Sequence, residues 1–333
     1  MNRNKEDNTI PLQEEYPDFE ELPAYYSTIF KAMLPDSFQN ISEKIKGRKC
    51  IFSTFVTDST FFTDEGILKM AGYKLGGTRI VITQHAPPYI FVAKLSTVYL
   101  EGFQHALITW GNLPFSRKLR HSAPNLNYAR LYNKHHLTVA SVLYIMDSEY
   151  LSPPNFEAAL YTYTPKVRSF HKKLIGALDK NVKDAMYMRP RPCYTSFDTE
   201  AWIRKTFPDI PIHEASISLL KALRHCKLSI VTYMGSTFNQ ALTLNSPVIW
   251  VLDRSEYLFT QEALDLLKHM QDVKIYFSDP LQAAKHINNV WSDIDSWWDS
   301  KEVQAVRAEC LKIDMGLPCK KPLRKWIKAI KAL

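Results

Sequence analysis

Cysteine is scarce in this sequence and never closely paired. The 333 residues contain five cysteines without a CxxC pair, namely Cys50, Cys193, Cys226, Cys310 and Cys319. An odd number of widely spaced cysteines fits neither a disulfide framework nor a zinc site. We therefore expect reduced thiols that lie mostly in the core.

Long apolar runs are missing too. No stretch reaches the roughly 18 consecutive apolar residues of a membrane-spanning helix, and no apolar signal core follows the charged start of the chain. We therefore expect a cytoplasmic protein. The composition, with 46% hydrophobic and 23% charged residues, is that of a globular protein, and the length favours two domains.

Signals for metal ions and nucleoside triphosphates are also missing. His135 and His136 are adjacent and therefore lack the spacing of a metal-ligand pair. The GxxxxGKS/T pattern of a Walker phosphate loop does not occur. We expect that the protein needs neither a metal ion nor another cofactor.

Positive charge is in excess, with a net charge of +8, and much of it lies at the C-terminus. In the segment 320–333, basic residues interleave with apolar residues at helical spacing. This pattern predicts an amphipathic helix that either lies on an anionic membrane surface or packs its apolar stripe against the rest of the protein. No aromatic and basic recognition motif accompanies the charge, so we expect no nucleic-acid partner.

Strand and helix patterns alternate from residue 50 onward. Apolar strands are predicted at 50–55, 78–83 and 106–111, and a helix is predicted at 64–75. A strand, a helix and a second strand in this order predict a parallel pair. Residues 112–137 show little periodicity and are predicted to connect this half to the next.

The second half repeats the alternation. The predicted strands are 138–146, 185–189, 228–233 and 248–252, and the predicted helices include 155–178, 199–207, 217–224, 238–244, 280–291 and 293–312. This order predicts an α/β protein with two Rossmann-like parallel-sheet halves and C-terminal helices. The expected domains are an irregular arm at 1–45, a first half at 46–135, a second half at 136–312 and a basic tail at 313–333.

The turn after the strand at 228–233 is the strongest candidate for a binding site. In an open parallel sheet, ligands bind beyond the carboxyl ends of strands, where turns enter helices and backbone N–H groups point outward. Gly235 permits close approach of the backbone, and the Ser236 and Thr237 hydroxyls can donate to phosphate oxygens. We predict that this turn, with Tyr233, binds a phosphate group. The alternative is that Ser236 only caps the helix.

Other polar candidates lie at neighbouring strand ends and turns. Gln84 and His85 follow a buried strand, and the His85 imidazole is a candidate general base. Arg189 and Arg191 are candidate ligands for a phosphate or a carboxylate. Glu214 precedes a helix and either contacts a ribose or sugar hydroxyl or caps that helix.

Several segments between residues 50 and 312 share a recognisable pattern. They are 76–85 (GGTRIVITQH), 108–111 (ITWG), 231–238 (VTYMGSTF), 241–242 (AL), 245–247 (NSP), 283–291 (AAKHINNVW) and 297–298 (WW). In order and spacing they resemble the transferases encoded in bacterial O-antigen and related surface-polysaccharide loci. The resemblance implies a GT-B-like glycosyltransferase whose second half holds a nucleotide-sugar donor. A glycan or lipid-linked acceptor would face the cleft from the first half.

The resemblance also implies that the turn from Tyr233 to Thr237 faces the strand end at Gln84 and His85, and that both belong to one site. The chain departs from the family pattern at Ala86-Pro87-Pro88, which replace the usual glycines, remove N–H donors and stiffen the loop. It is also shorter at the N-terminus than typical members.

The implied function is sugar transfer to a surface polysaccharide, in the cytoplasm or on the inner face of the membrane. The alternative is a truncated, non-catalytic homologue that binds glycan or a full-length transferase.

Overall fold

The computed structural model describes most of the chain from residue 54 onward. The described residues are 54–57, 64–75, 77–84, 105–111, 120–126, 139–146, 164–191, 198–213, 216–254, 257, 259, 261–315 and 321–332. The predicted arm at 1–45 and the candidate residues His85 and Glu214 lie outside these ranges.

Four parallel strands form the N-terminal sheet. They are β1 (Thr54–Thr57), β2 (Ile80–Thr83), β3 (Ala106–Thr109) and β4 (Arg120–Ser122), in the spatial order β1-β2-β3-β4. The helix α1 (Asp64–Leu75) lies between β1 and β2 in the chain, as predicted. Strand β4 falls in the segment predicted to be a connection. That prediction is wrong there because three polar residues give no apolar signal.

Five parallel strands form the second sheet. They are β5 (Val139–Met146), β6 (Met186–Pro190), β7 (Cys226–Val231), β8 (Val248–Val251) and β9 (Tyr276–Phe277), in the spatial order β6-β5-β7-β8-β9. The predicted α/β class with two parallel-sheet halves is confirmed. Strand β9 has only two residues and was not predicted.

Helices accompany this second sheet. They are α2 (Thr164–Gly176), α3 (Lys180–Asp184), α4 (Thr199–Thr206), α5 (Leu219–His225), α6 (Ser236–Leu244), α7 (Gln261–Asp272), α8 (Pro280–Val290), α9 (Ile294–Trp298) and α10 (Lys301–Cys310). The prediction of a single helix at 293–312 is wrong, because Ser300 interrupts the helical segment. The Ser300 hydroxyl accepts from the Val303 N–H as the cap of α10. Helix α8 begins as predicted, with Asp279 as its cap and a proline in its first turn.

Both faces of the second sheet carry a buried core, which is typical of parallel sheets. In β5, Tyr144 and Met146 pack into one apolar cluster, whereas Leu143 and Ile145 pack into the other. Alternate side chains therefore point to opposite cores. The polar candidate residues of this half accordingly lie at the strand ends.

The C-terminal helix α11 (Pro322–Lys331) packs on the N-terminal sheet. The Trp326 indole Nε1–H donates to the Pro124 carbonyl oxygen at 2.8 Å. Ala329 packs with Val81 of β2 and Ile108 of β3. The predicted amphipathic tail is therefore a helix that covers one face of this sheet, so the packing alternative is confirmed for that part of its surface. Among the described helices, none has the length and apolar character needed to span a bilayer.

A buried tyrosine and histidine pair lies in the core beneath β5. The Tyr144 hydroxyl oxygen and the His171 Nδ1 are 2.6 Å apart, and His171 is 3% exposed. Burial lowers the pKa of His171 to about 3. The imidazole is therefore neutral in the folded protein at neutral pH.

We expect acid to destabilise the protein through His171. The unfolded chain protonates this histidine near its ordinary pKa of about 6.5, whereas the folded protein keeps it neutral down to pH about 3. The unfolded state thus binds more protons in this window, and the free energy of unfolding falls as the pH is lowered. Between about pH 7 and about pH 5 the loss from this residue is on the order of 2 kcal/mol.

Urea denaturation of the native protein and of His171→Leu over this pH range checks the prediction. The variant is less stable at pH 7 but should show a shallower pH dependence. An unchanged pH dependence would contradict the assignment to His171.

Candidate functional site

The strand order of the second sheet reverses between β5 and β7. Strand β6 lies on one side of β5, whereas β7, β8 and β9 follow one another on the other side. Ligands of open α/β sheets bind outside the carboxyl ends of the strands at such a switch point. The turn from Thr232 to Thr237 follows β7 at this edge, and Arg189 and Arg191 lie at the end of β6. The topology thus brings the predicted phosphate ligands to one edge of the sheet.

The N-terminus of α6 faces this edge without a side-chain cap. Gly235 is the N-cap residue and Ser236 is the first residue of the helix. The alternative that Ser236 serves as the cap is therefore wrong. The N–H groups of a first helical turn have no partners within the helix, and together with the helix dipole they favour a bound anion.

The two hydroxyls of the turn have different surroundings. Thr237 is 1% exposed, and its hydroxyl lies 2.5 Å from the Tyr233 hydroxyl. Ser236 is partly exposed. Ser236 is consequently the hydroxyl that a ligand can reach, while Tyr233 and Thr237 bind each other. The roles of all three in phosphate binding stay predictions.

Gly235 lies directly against the Tyr233 ring. A Cβ atom added at Gly235 would be 2.5 Å from Tyr233 Cε2, well inside van der Waals contact. The ring cannot easily move away, because its hydroxyl is bonded to Thr237 and its side chain is buried. Glycine is therefore needed here for space, as expected of a close-approach position, although the crowding group is the protein's own tyrosine.

Trp250 of β8 holds the turn from beneath. Its indole Nε1–H donates to the Tyr233 carbonyl oxygen at 2.9 Å, and its ring stacks on Phe238 with centroids 4.7 Å apart. Trp250 itself is 1% exposed. One rigid side chain thus fixes Tyr233 of the turn and the first turn of α6.

The other end of α6 is held as firmly. Asn245 ends the helix in the left-handed conformation, with φ of 54°, and its side-chain oxygen accepts from the Trp298 indole N–H at 3.1 Å. Arg307 donates from Nε to the Leu242 carbonyl oxygen at 2.6 Å. A cation at the C-terminal end of a helix complements the helix dipole. The axis of α6, and hence the direction of its N-terminus, is fixed from both ends.

Arg189 ties a neighbouring segment to this edge. Its guanidinium lies 3.0 Å from His213 Nδ1 and donates to the Ile217 carbonyl oxygen at 2.9 Å. Burial lowers the pKa of Arg189, and the proximity of Tyr233 opposes the shift. Two of the five N–H donors of a guanidinium are thus used within the protein, so the remaining donors are those that can serve a phosphate.

Arg191 and Gln84 differ in exposure. Arg191 is exposed, and its backbone N–H donates to the Met146 carbonyl oxygen at the end of β5. Gln84 is buried, and its side-chain oxygen accepts from the Trp110 N–H at 2.9 Å. Trp110 belongs to the same apolar cluster as Tyr233. The ends of β2 and β3 are therefore linked through Trp110 to the core beneath the turn.

A cavity of about 530 Å³ lies between β5, β6 and α5, and the Arg189 partners His213 and Ile217 line part of it. Its lining includes Ser141, Tyr187, Lys221, His225 and Cys226. Ser141 and Cys226 lie near the amino ends of their strands, whereas ligands of parallel sheets bind at the carboxyl ends. We assign no role in the site to this cavity.

The sequence contains one Asp-x-Asp pair, at Asp293 and Asp295. Asp293 accepts from the Ser296 N–H as the cap of α9. This interaction gives it a structural role at a helix start.

Trp250, His213 and Arg307 could not be recognised from the sequence. An indole in an apolar strand, a lone histidine and a helix arginine carry no local signal for the hydrogen bonds that these side chains make around the turn, Arg189 and α6.

Comparison with models of protein families identifies the class of enzyme. A model of the LIC12162 family of transferases matches residues 2–330. The chain belongs to this transferase family. A comparison with curated proteins found no match.

Three solved structures are among those to which this chain is similar. MurG of Acinetobacter baumannii shares 10% identity at a TM-score of 0.47, over 90% of this chain and 78% of that chain. Anabaena HepE in complex with UDP shares 12% identity at a TM-score of 0.49, over 90% and 81% of the two chains. The calicheamicin glycosyltransferase CalG4 shares 11% identity at a TM-score of 0.47, over 89% and 76%.

We expect Gly235→Ala to destabilise the protein through the Tyr233 ring. Relief of the overlap requires displacement of a buried, hydrogen-bonded side chain, which costs on the order of 1–3 kcal/mol. Denaturant unfolding measures this cost. The same substitution in a Tyr233→Ala background should cost much less, since the overlapping ring is gone. Equal costs in both backgrounds would show that the ring is not the obstacle.

Proposed function

We propose that this transferase moves a sugar from a nucleotide-sugar donor to an acceptor glycan of a bacterial surface polysaccharide, of O-antigen or capsule type. The uncapped N-terminus of α6 at the topological switch point is the observation that carries the proposal. The match of a transferase-family model to residues 2–330 supports it. The sequence segments that resemble surface-polysaccharide transferases support the acceptor class.

In the proposed reaction the donor diphosphate lies against the first turn of α6. The leaving phosphate gains negative charge as the bond to the sugar breaks, and fixed donors directed at that charge lower the barrier. The backbone N–H groups of Ser236 and Thr237 and the Ser236 hydroxyl are these donors. Arg189 and Arg191 add positive charge from the end of β6.

The first half of the chain is proposed to hold the acceptor. His85 is the proposed general base for the acceptor hydroxyl. Glu214, which lies in the second half, is proposed to contact a ribose or sugar hydroxyl. Gln84, through its bond to Trp110, positions the strand end that carries His85. Tyr233 shapes the turn from inside.

We propose that no metal ion takes part, because the helix N-terminus and the arginines can stabilise the leaving diphosphate themselves. Transfer that continues undiminished after treatment with EDTA would support this point. Loss of transfer with EDTA and its return with Mg²⁺ or Mn²⁺ would overturn it.

The lipid-linked form of the acceptor would place the reaction at the inner face of the cell membrane. A second candidate function is a non-catalytic partner that binds glycan or another transferase. It is favoured by Pro87 and Pro88, which supply no N–H donors in the segment after His85. Binding of glycan without binding of any nucleotide would identify this second function.

We expect Ser236→Ala to weaken donor binding. The substitution removes one hydrogen bond to a charged phosphate, which is worth about 1.5–3 kcal/mol and corresponds to a roughly tenfold to hundredfold loss of affinity. Isothermal titration calorimetry with the nucleotide sugar measures this affinity. The helix itself should remain intact, since its cap is Gly235.

Ser300→Ala is the matched control. It removes the hydroxyl cap of α10 and should lower stability by about 1 kcal/mol without a change in donor affinity. If Ser236→Ala and Ser300→Ala leave donor affinity equally unchanged, the α6 turn is not the phosphate site.

A further inference from the structure

The exposed apolar side chains of this protein are concentrated around α11. Among the described residues, six large apolar side chains are exposed, and three of them lie on this helix. They are Leu323, Ile327 and Ile330, with exposures of 61%, 52% and 43%. Leu126 is also exposed, and it lies two residues after Pro124, which accepts the Trp326 hydrogen bond. Several exposed apolar side chains on one helix mark a candidate interaction surface.

The spacing of these residues gives α11 three parallel stripes. Leu323, Ile327 and Ile330 are separated by four and three residues and so share one face. Trp326 and Ala329 form the second stripe, which is docked on the N-terminal sheet. The exposed apolar stripe is therefore additional to the surface that the protein buries itself.

The third stripe is basic. Arg324, Lys328 and Lys331 each follow one residue after a member of the exposed apolar stripe, and all three are exposed. With 3.6 residues per turn, this offset places them about 100° around the helix from the apolar stripe. No acidic residue occurs between 316 and 333. The helix thus presents an apolar strip beside a positive strip without any compensating negative charge of its own.

We propose that this face of α11, with Leu126, docks the protein on an anionic lipid bilayer. An exposed apolar stripe beside lysine and arginine fits the boundary between acyl chains and negatively charged headgroups. The long basic side chains can reach the headgroups while their methylene stems lie along the apolar boundary. The inference deepens the proposed function, on which it rests for a lipid-linked acceptor, but its test needs no nucleotide.

The fixed position of α11 gives the docked protein a defined orientation. Trp326 and Ala329 hold the helix to β2, β3 and the Pro124 segment, so the membrane face belongs to the N-terminal half. In the proposed reaction this is the half that holds the acceptor. A lipid-linked acceptor would then approach from the side of the molecule that lies on the bilayer.

Vesicle co-sedimentation of the full chain tests the proposal. The native protein should bind phosphatidylcholine vesicles that contain phosphatidylglycerol about tenfold or more tightly than phosphatidylcholine alone, and added salt should weaken the binding. The triple variant L323S/I327S/I330S and the triple variant R324E/K328E/K331E should each lose about tenfold or more of this affinity. Both triples change only exposed residues, so circular dichroism should show an intact fold.

Two controls match these variants in chemistry and exposure. Leu281→Ser removes an exposed apolar side chain from α8, and K172E/K205E/K301E reverses three exposed charges on other helices. Both should bind vesicles like the native protein. Equal binding by all variants, binding that ignores lipid charge, or no binding by the native protein would each overturn the proposal.

A second outcome would reassign the surface. If the native protein shows no vesicle binding but forms dimers that L323S/I327S/I330S abolishes in analytical ultracentrifugation, the stripe pairs two copies and the lipid proposal is wrong. Calorimetry with nucleotide sugars on the same samples separates this proposal from sugar transfer. Vesicle binding without nucleotide binding would support the docking surface and contradict the proposed binding of a nucleotide-sugar donor.

Discussion

The hydrogen bond from the Trp250 indole to the Tyr233 carbonyl is the contact on which the proposed site depends. A buried indole N–H without a partner is costly, so this bond keeps the turn closed onto β8. The same ring stacks on Phe238 and thereby sets the first turn of α6. Arg307 and Trp298 hold the far end of that helix. A helix fixed at both ends would present its N–H groups to the proposed phosphate without further reorganisation, as electrostatic stabilisation of a leaving group requires.

An apolar cluster joins the two sheets, and other contacts distant in sequence lie within the N-terminal half. Trp110, at the end of β3, shares an apolar cluster with Tyr233, and Gln84 bonds to its backbone N–H. Helix α11 returns from the end of the chain to cover the N-terminal sheet through Trp326 and Ala329. The candidate donor site is thereby connected to the half that carries the proposed acceptor residues, and the helix with the exposed apolar stripe is part of that half.

The sequence was sufficient for the α/β class, for most strands and for the turn at Gly235, because apolar periodicity and glycine placement are local signals. It failed for β4 and β9, which are too short to show periodicity, and for the break at Ser300, where a capping serine interrupts an otherwise helical pattern. It could not assign Ser236 and Thr237 different roles, because their difference arises from Tyr233 and Trp250 packed around the turn. His85 and Glu214 lie outside the described residues, so their roles stay predictions.

The central claim is that the turn at Gly235 binds the phosphates of an activated sugar. Its most direct test is the melting temperature of the purified protein with UDP-, GDP-, dTDP- and CMP-linked sugars and the free nucleotides, since a ligand that binds the native state raises it by mass action. We expect a concentration-dependent rise in the melting temperature with one nucleotide class. No rise with any member of the panel, in a sample that shows a cooperative unfolding transition, would contradict it.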